Sequence, residues 1–214
     1  MFVRNHMTEV DFTTGPGTPV REVLDSAVNR GTPYVPIVDA HDGLLGMFTP
    51  GGFCAAVHRH GCAALDVPVF EVMIVDPMTI SADAPLEEAL EYFCANGETE
   101  VLPVTTGRRL EGLLRREDLL RSMARMLGLD QPGSSVQAAL VDPQTDVPNV
   151  FAAICRSKAD VVSAFLGYAR DDGDEPVLHV RVANADRRRT ERMVAELGLI
   201  LLAPPGSPQL RAAL

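Results

Sequence analysis

The chain has 214 residues and 23.1 kDa, and its 46% hydrophobic content is enough for real cores in one large domain or two to three small ones, which excludes a disordered chain. A formal charge of −10 with pI near 4.9 excludes broad electrostatic binding to nucleic acid or to an anionic membrane, since both need a basic surface. Among the 19 basic residues only Lys158 is a lysine, which disfavours enzymes built on a Schiff-base or phosphate-cradling lysine.

The acidity is uneven: residues 1–130 hold 19 acidic and 10 basic side chains, residues 131–214 hold 10 and 9, so two different modules are expected. The segment from Met1 to His6 lacks the apolar core of a signal peptide, and no stretch approaches the roughly 20 apolar residues of a membrane span; a cytoplasmic protein is the expectation. Cys54, Cys62, Cys94 and Cys155 form no Cys-x-x-Cys pair and read as buried reduced thiols.

Taken in chain order, the first 125 residues repeat at an offset of 66. Val3, Met7, Thr13, Pro19, Glu22, Leu24 and Gly31 align with Val69, Met73, Thr79, Pro85, Glu88, Leu90 and Gly97, while Pro36 meets Pro103 at an offset of 67. Each copy predicts an extended lead-in, then a helix opened by Pro19 or Pro85 with an apolar stripe such as Val20, Val23, Leu24, Ala27 and Val28. The helix closes near Gly31 or Gly97, where a left-handed cap suits glycine. A hairpin follows, Tyr34 to Val38 with Leu44 to Phe48, or Val101 to Thr105 with Leu110 to Leu114, and then a second helix, from Gly51 to His60 or from Glu117 to Leu127. Gln131-Pro132-Gly133-Ser134-Ser135 reads as a linker. Beyond it the pattern predicts strand Val136 to Val141, helix Pro148 to Ser157, strand Val161 to Ala169, a turn from Arg170 to Pro176, strand Val177 to Ala183, helix Arg187 to Leu197 and strand Leu199 to Leu202. That order, βαββαβ, is the ferredoxin-like plan.

The proline after a short strand, the Asp-containing turn and the glycine opening the next strand (Val35-Pro36-Ile37-Val38-Asp39 with Gly46-Met47-Phe48-Thr49; Leu102-Pro103-Val104 with Gly112-Leu113-Leu114) resemble the cystathionine β-synthase (CBS) domain, and two in tandem resemble the paired module that binds adenine nucleotides. Val147-Pro148-Asn149-Val150-Phe151 is similar to the Pro-Gly-x-Leu signature of ACT domains, with Asn149 in place of glycine. The resemblance implies an α+β chain: a first CBS domain over 1–62, a second over 63–130, a linker over 131–135, an ACT-like domain over 136–204 and a tail over 205–214. Such an arrangement resembles the acetoin-utilization protein B (AcuB-like) family.

In CBS pairs a nucleotide cleft combines a Ser/Thr-x-x-Asp motif of one repeat, whose Asp accepts from both ribose hydroxyls, with the lead-in and pre-proline segments of the other. The second repeat has Arg115-Arg116-Glu117-Asp118, so the resemblance implies a cleft of Asp118, Arg115, Arg116, Tyr34, Val35, Met7 and Thr8, with the arginines on phosphate oxygens and Tyr34 stacked on a purine. Asp118 also reads as the cap of its helix, with Arg115 paired to Glu117 or Asp118. The first repeat has Thr49-Pro50-Gly51-Gly52, so the cleft of Thr49, Gly52, Val101 and Leu102 lacks the carboxylate and is degenerate. In the ACT-like part, Asp142, Asp146 and Asn149 are placed where that family holds an amino acid, or else form a helix cap.

Cys54, His58, His60 and Cys62 have metal-ligand chemistry but no zinc-site spacing, and read as a core-facing Cys with solvated histidines; no metal is expected. Arg187, Arg188, Arg189 and Arg192 read as a solvated helix face. No Gly-rich phosphate loop, Gly-x-Ser-x-Gly elbow or catalytic triad is present, so a non-catalytic protein is expected, and the CBS resemblance implies a regulatory role with an adenine-containing ligand (AMP, ADP, ATP, NAD or S-adenosylmethionine) and no required cofactor. The expected partners are that small molecule, a second copy in a homodimer and a regulated protein of unknown identity, with no nucleic acid and no membrane. The alternatives are a ligand-independent assembly or partner-binding protein with degenerate clefts, and an accessory protein in acetoin or acetyl-group metabolism.

Overall fold

The computed structural model describes residues 1–168, 175–183 and 187–202, and the chain divides into two units, Met1–Arg121 and Ser122–Leu214. The first repeat contributes α1 (Val20–Arg30), β1 (Val35–Val38), β2 (Leu44–Phe48) and α2 (Pro50–His60). A two-residue strand β3 (Ile74–Val75) follows, then β4 (Ile80–Ser81), α3 (Leu86–Ala95), β5 (Val101–Thr106), β6 (Arg109–Arg115) and α4 (Arg116–Met126). The opening strand of the repeat is shorter than its sequence pattern suggests. In the first copy it is a single parallel bridge, Thr14 to Ile37, and in the second it is β4 paired in parallel with β5.

The duplication extends to the irregularities. β1 pairs antiparallel with β2 and β5 with β6, and each hairpin shifts register at the equivalent place, between Ile37 and Val38 and between Val104 and Thr105. The extra residues are Leu45 and Glu111, each immediately before the strand glycine, Gly46 or Gly112. A bulge here re-aims the strand. The glycines then meet lead-in strands that are exchanged between the repeats: β3 pairs with β2, whereas Thr8 bridges Leu113 of β6. A Cβ on Gly46 would lie 2.7 Å from the Ile74 carbonyl oxygen, and one on Gly112 would lie 2.9 Å from that of Thr8. Only glycine lets the two backbones approach so closely.

The exchange continues into the cores. Val3 is buried among Ile80, Leu86, Phe93, Leu102 and Leu114 of the second repeat, and Val69 among Val20, Val23, Ile37 and Phe48 of the first. A third small core, Met47, Val101 and Leu113 with Val10 and Tyr34 packed on it, joins the two repeats. Burying valine or leucine side chains of this kind stabilises by about 1.5–3 kcal/mol each, and because each repeat holds its partner's lead-in, neither has a complete core alone.

Helix ends show where the two copies part. Gly31 takes the left-handed conformation (φ 65°) and its N–H bonds the α1 carbonyls, as read from the sequence. Gly97 does not: α3 ends at Asn96 with φ −120°, and the carbonyls of Asn96, Gly97 and Thr99 are instead gathered by the Arg116 guanidinium, 3.4 Å and 2.6 Å from the first two. The cysteine reading is also corrected. Cys54, Cys62, Cys94 and Cys155 are all exposed, Cys54 because α2 buries Ala56 and tucks Phe53 inward, leaving it on the outer side.

The second unit contains β7 (Ser134–Ala139), α5 (Pro143–Ser157), β8 (Asp160–Tyr168), β9 (Pro176–Ala183), α6 (Arg187–Ala195) and β10 (Ile200–Leu201). All its strand pairs are antiparallel, in the order β10-β7-β9-β8. Val136, Ala138, Leu178, Val180 and Val182 alternate into a core with Val150, Ile154 and Val194 of the helices. The opposite face carries Phe165 stacked on His179, ring centroids 4.5 Å apart, and burial lowers the His179 pKa below its ordinary value. The segment expected as a linker is fastened down: Arg181 donates to the Gly128 and Gln131 carbonyls at 2.6 Å, and Ser134 already belongs to β7. The turn at 170–176 lies mostly, and the tail at 205–214 wholly, outside the described residues.

Candidate functional site

In both repeats the turn from the second hairpin strand into the following helix divides one capping arrangement. In Ser/Thr-x-x-Asp the N-cap hydroxyl accepts from the N3 backbone N–H while the N3 carboxylate accepts from the N-cap N–H. Thr49 keeps the first half, its Oγ1 accepting from Gly52 N at 3.1 Å. Asp118 keeps the second, its Oδ2 lying 3.4 Å from Arg115 N. What the sequence shows as two incomplete motifs is one reciprocal cap shared out between two copies.

Around Asp118 the exchanged lead-in supplies the facing wall. Thr8 Oγ1 donates to Asp118 Oδ2 at 3.2 Å, and Arg121 Nη1 lies 2.9 Å from Oδ1, so the carboxylate, only 11% exposed, is held from both sides. Arg115 stands beside it with an under-used guanidinium. Its Nη2 is 3.4 Å from Thr32 Oγ1, its Nη1 is 3.5 Å from Glu117 Oε1, and its Nε is buried without a hydrogen-bond partner among the described residues. Thr8, Thr32, Tyr34, Leu113 and Arg115 line a cleft with Glu9, Val10, Asp11 and Phe12, whose free volume is about 10 Å³, room for roughly one water. The Tyr34 phenol is raised above its ordinary pKa, by burial first and then by the Glu100 carboxylate, with Arg115 and Arg116 opposing, so its ring stays neutral at pH 7.

Several residues read from the sequence stand elsewhere. Arg116 is turned away to the carbonyls that follow α3, its guanidinium carbon 5.8 Å from the Phe93 ring centroid. Met7 packs on the core of the second repeat and Val35 is fully buried in the core of the first, so neither side chain lines the cleft. Conversely Thr32, Glu9, Asp11 and Leu113 do, and no local pattern marks them, because the Thr8–Leu113 pairing that brings them together is long-range.

The first-repeat cleft is closed at its key position. A Cβ on Gly52 would lie 2.8 Å from the Val72 carbonyl oxygen, so a carboxylate there requires the backbone to move. Thr49 is spent on the helix cap, Leu102 is in the second repeat's core and Val101 in the shared one. In the second unit, Val147-Pro148-Asn149 lies inside α5 and not at a loop. The helix starts five residues earlier than expected because Asp142 and Pro143 form the stronger N-cap and N1 pair. Asp142 accepts from Gln144 N at 3.2 Å, and Asp146 accepts from Val141 N and Asp142 N at 2.9 Å. These acids serve the helix start, and Asn149 is exposed on the helix, so the expected ligand loop is absent at this place. Cys54, His58, His60 and Cys62 are all exposed, and no group of three or more potential ligands gathers among the described residues. No helix among those residues is long and apolar enough to cross a membrane.

Comparison with known proteins adds to this geometry. The model of the CBS domain matches residues 3–59 and 69–125. A curated relative, an uncharacterized protein of Chlamydia muridarum, is 33% identical over 118 residues, which are 54% of this chain and 36% of that protein; the chain thus spans little more than a third of its length. Among solved structures, a protein assigned to acetoin utilization, AcuB of Vibrio cholerae, is 26% identical with a TM-score of 0.54, covering 62% of this chain and 98% of AcuB. The CBS pair of protein MJ0100, solved with 5′-methylthioadenosine and S-adenosyl-L-methionine, is 20% identical with a TM-score of 0.52, covering 61% and 98%. CBSX2, solved with AMP, is 18% identical with a TM-score of 0.52, covering 58% and 97%. The duplicated hairpin with its repeated bulge, the exchanged lead-ins and the match over both copies lead to one conclusion: the chain belongs to the CBS domain family, as a tandem pair.

Proposed function

We propose that the CBS pair is a non-catalytic sensor of one adenine-bearing phosphate ester, bound at the Asp118 cleft. The observation that carries this reading is Arg115, a cleft-lining guanidinium whose contacts are long and whose Nε is buried and unpaired. A phosphate matches such a fork bidentately. Asp118 would exchange its Thr8 contact for ribose hydroxyls, and the Tyr34 ring would meet the purine. The adenine ligands of MJ0100 and CBSX2 support the adenine moiety, and the AMP of CBSX2 supports the phosphate as well. Because the cleft is nearly full, and because Glu9 and Asp11 oppose an anion, binding requires the stretch between the anchors at Thr8 and Thr14 to swing outward. That stretch leads into α1, so occupancy selects between two placements of the lead-in, which is all that a population shift needs.

Isothermal titration of the full chain with AMP, ADP, ATP, NAD, S-adenosylmethionine and adenosine is the direct test. The expected result is one site per chain, with AMP at least roughly tenfold tighter than adenosine, the increment of one charge-assisted contact. No heat from any of them at millimolar concentration removes the reading.

The second unit we read as an ACT-like pairing module, on its βαββαβ order and on the exposed edge strand β8, where Val161, Phe165, Leu166 and Tyr168 remain accessible. A long apolar edge invites another strand, and an antiparallel β8–β8 pair would make a homodimer. Light scattering is expected to give twice the 23.1 kDa chain mass, and a charged residue at Leu166 (Leu166→Lys) to halve it; a monomeric wild type overturns the reading.

A further inference from the structure

The two repeats differ most in how they fill the groove between their helices. In the first, Leu24, Ala27, Val28, Phe48, Pro50 and Phe53 line a cavity of about 290 Å³, with Gly31, Thr32, Pro33 and Cys54 completing it. At the offset of 66, Ala27 corresponds to Phe93 and Pro50 to Arg116. In the second repeat Phe93 is 4% exposed within the core, and the Arg116 guanidinium lies over its ring while it gathers the carbonyls after α3. The first repeat closes α1 differently, with Gly31 in the left-handed conformation. Phe48 and Phe53 replace Leu114 and Leu119, which recovers only part of the volume lost with one phenyl ring and one long side chain. A void therefore stands where the homologous half of the same molecule places an aromatic ring.

We propose that this groove is a binding site for an uncharged aromatic ring, which takes the volume that Phe93 and Arg116 occupy in the second repeat. The walls suit it: the rings of Phe48, Phe53, Pro33 and Pro50 surround the space, Phe48 and Phe53 are tilted with centroids 6.1 Å apart, and no charged side chain lines it. Aromatic rings favour offset and tilted contacts of this kind. An apolar cavity of about half this volume, about 150 Å³, already binds benzene in an engineered protein. The groove shares only Thr32 with the cleft beside Asp118, and the proposal does not rest on the reading of that cleft.

Cys54, exposed at the rim, reports occupancy. With indole as the probe, at millimolar concentration, alkylation of Cys54 in the full chain is expected to slow at least roughly threefold by peptide mass mapping, while the exposed Cys62 and Cys155 react unchanged. Ala27→Phe fills the void from within and is expected to abolish the slowing. Pro50→Arg, the residue of the second repeat, does the same and carries the test if Ala27→Phe fails to fold by circular dichroism. Indole that leaves Cys54 unaffected, or that slows it equally in wild type and variants, overturns the proposal. So does a Cys54 rate that depends on protein concentration and not on indole, since a second copy would then be covering the groove.

Discussion

Arg115→Ala weakens AMP binding roughly 10- to 100-fold and leaves the melting temperature nearly unchanged. The loss follows from a charge-assisted contact to phosphate worth about 1.5–3 kcal/mol. The small structural cost follows from the native contacts of Arg115, one at 3.4 Å to Thr32 and one at 3.5 Å to Glu117, whose carboxylate is 62% exposed. Exposed ion pairs contribute little. Arg115→Lys keeps the charge but loses the fork, so its affinity is expected between the two. Isothermal titration beside a thermal melt separates binding from folding, and an Arg115→Ala protein that binds AMP as wild type does rules out the guanidinium as the phosphate ligand.

Arg116→Ala has the opposite signature: a loss of about 2 kcal/mol in stability, roughly 5–10 °C in melting temperature, with AMP affinity retained in the surviving native protein. This guanidinium supplies hydrogen bonds to the carbonyls of Asn96, Gly97 and Thr99, whereas in the first repeat the helix end is closed by backbone alone, the Gly31 N–H bonding the Ala27 and Val28 carbonyls. Removing it takes this donor from the Gly97 and Thr99 carbonyls, leaves the Asn96 carbonyl with the Thr99 N–H alone, and uncovers the Phe93 ring. Asn96→Gly in the same background restores a left-handed cap and is expected to recover part of the loss. A melting temperature unmoved by Arg116→Ala would show that water satisfies those carbonyls equally well.

Two adjacent arginines thus come to opposite duties for a geometric reason. Arg115 ends a strand and Arg116 begins a helix, so their side chains leave the backbone in different directions, and only the position of α3 decides what the second one meets. The same distinction runs through the candidate site. Tyr34, Thr8 and Arg115 are legible as a group through the resemblance to CBS domains, which sets the lead-in and pre-proline segments of one repeat against the Ser/Thr-x-x-Asp position of the other. Met7 and Val35 were legible as neighbours of the cleft but not as core residues, since period-two alternation is interrupted by bridges and bulges in strands this short.

What the sequence by itself determined is the duplication, the order of elements in both units and the splitting of the Ser/Thr-x-x-Asp motif, its hydroxyl at Thr49 and its carboxylate at Asp118. These depend on local spacing: proline before a helix, glycine in a strand, apolar residues at a fixed period. Only the tertiary structure decided that the lead-ins are exchanged, that Gly46 and Gly112 are there to admit them, that Pro148 lies inside a helix begun by Asp142 and Pro143, and that the first repeat leaves an apolar void where the second is full. Each of these is set by what a distant segment brings to the same place, and a chain read one residue after another carries no distance between residues 8 and 113, or between residues 96 and 116.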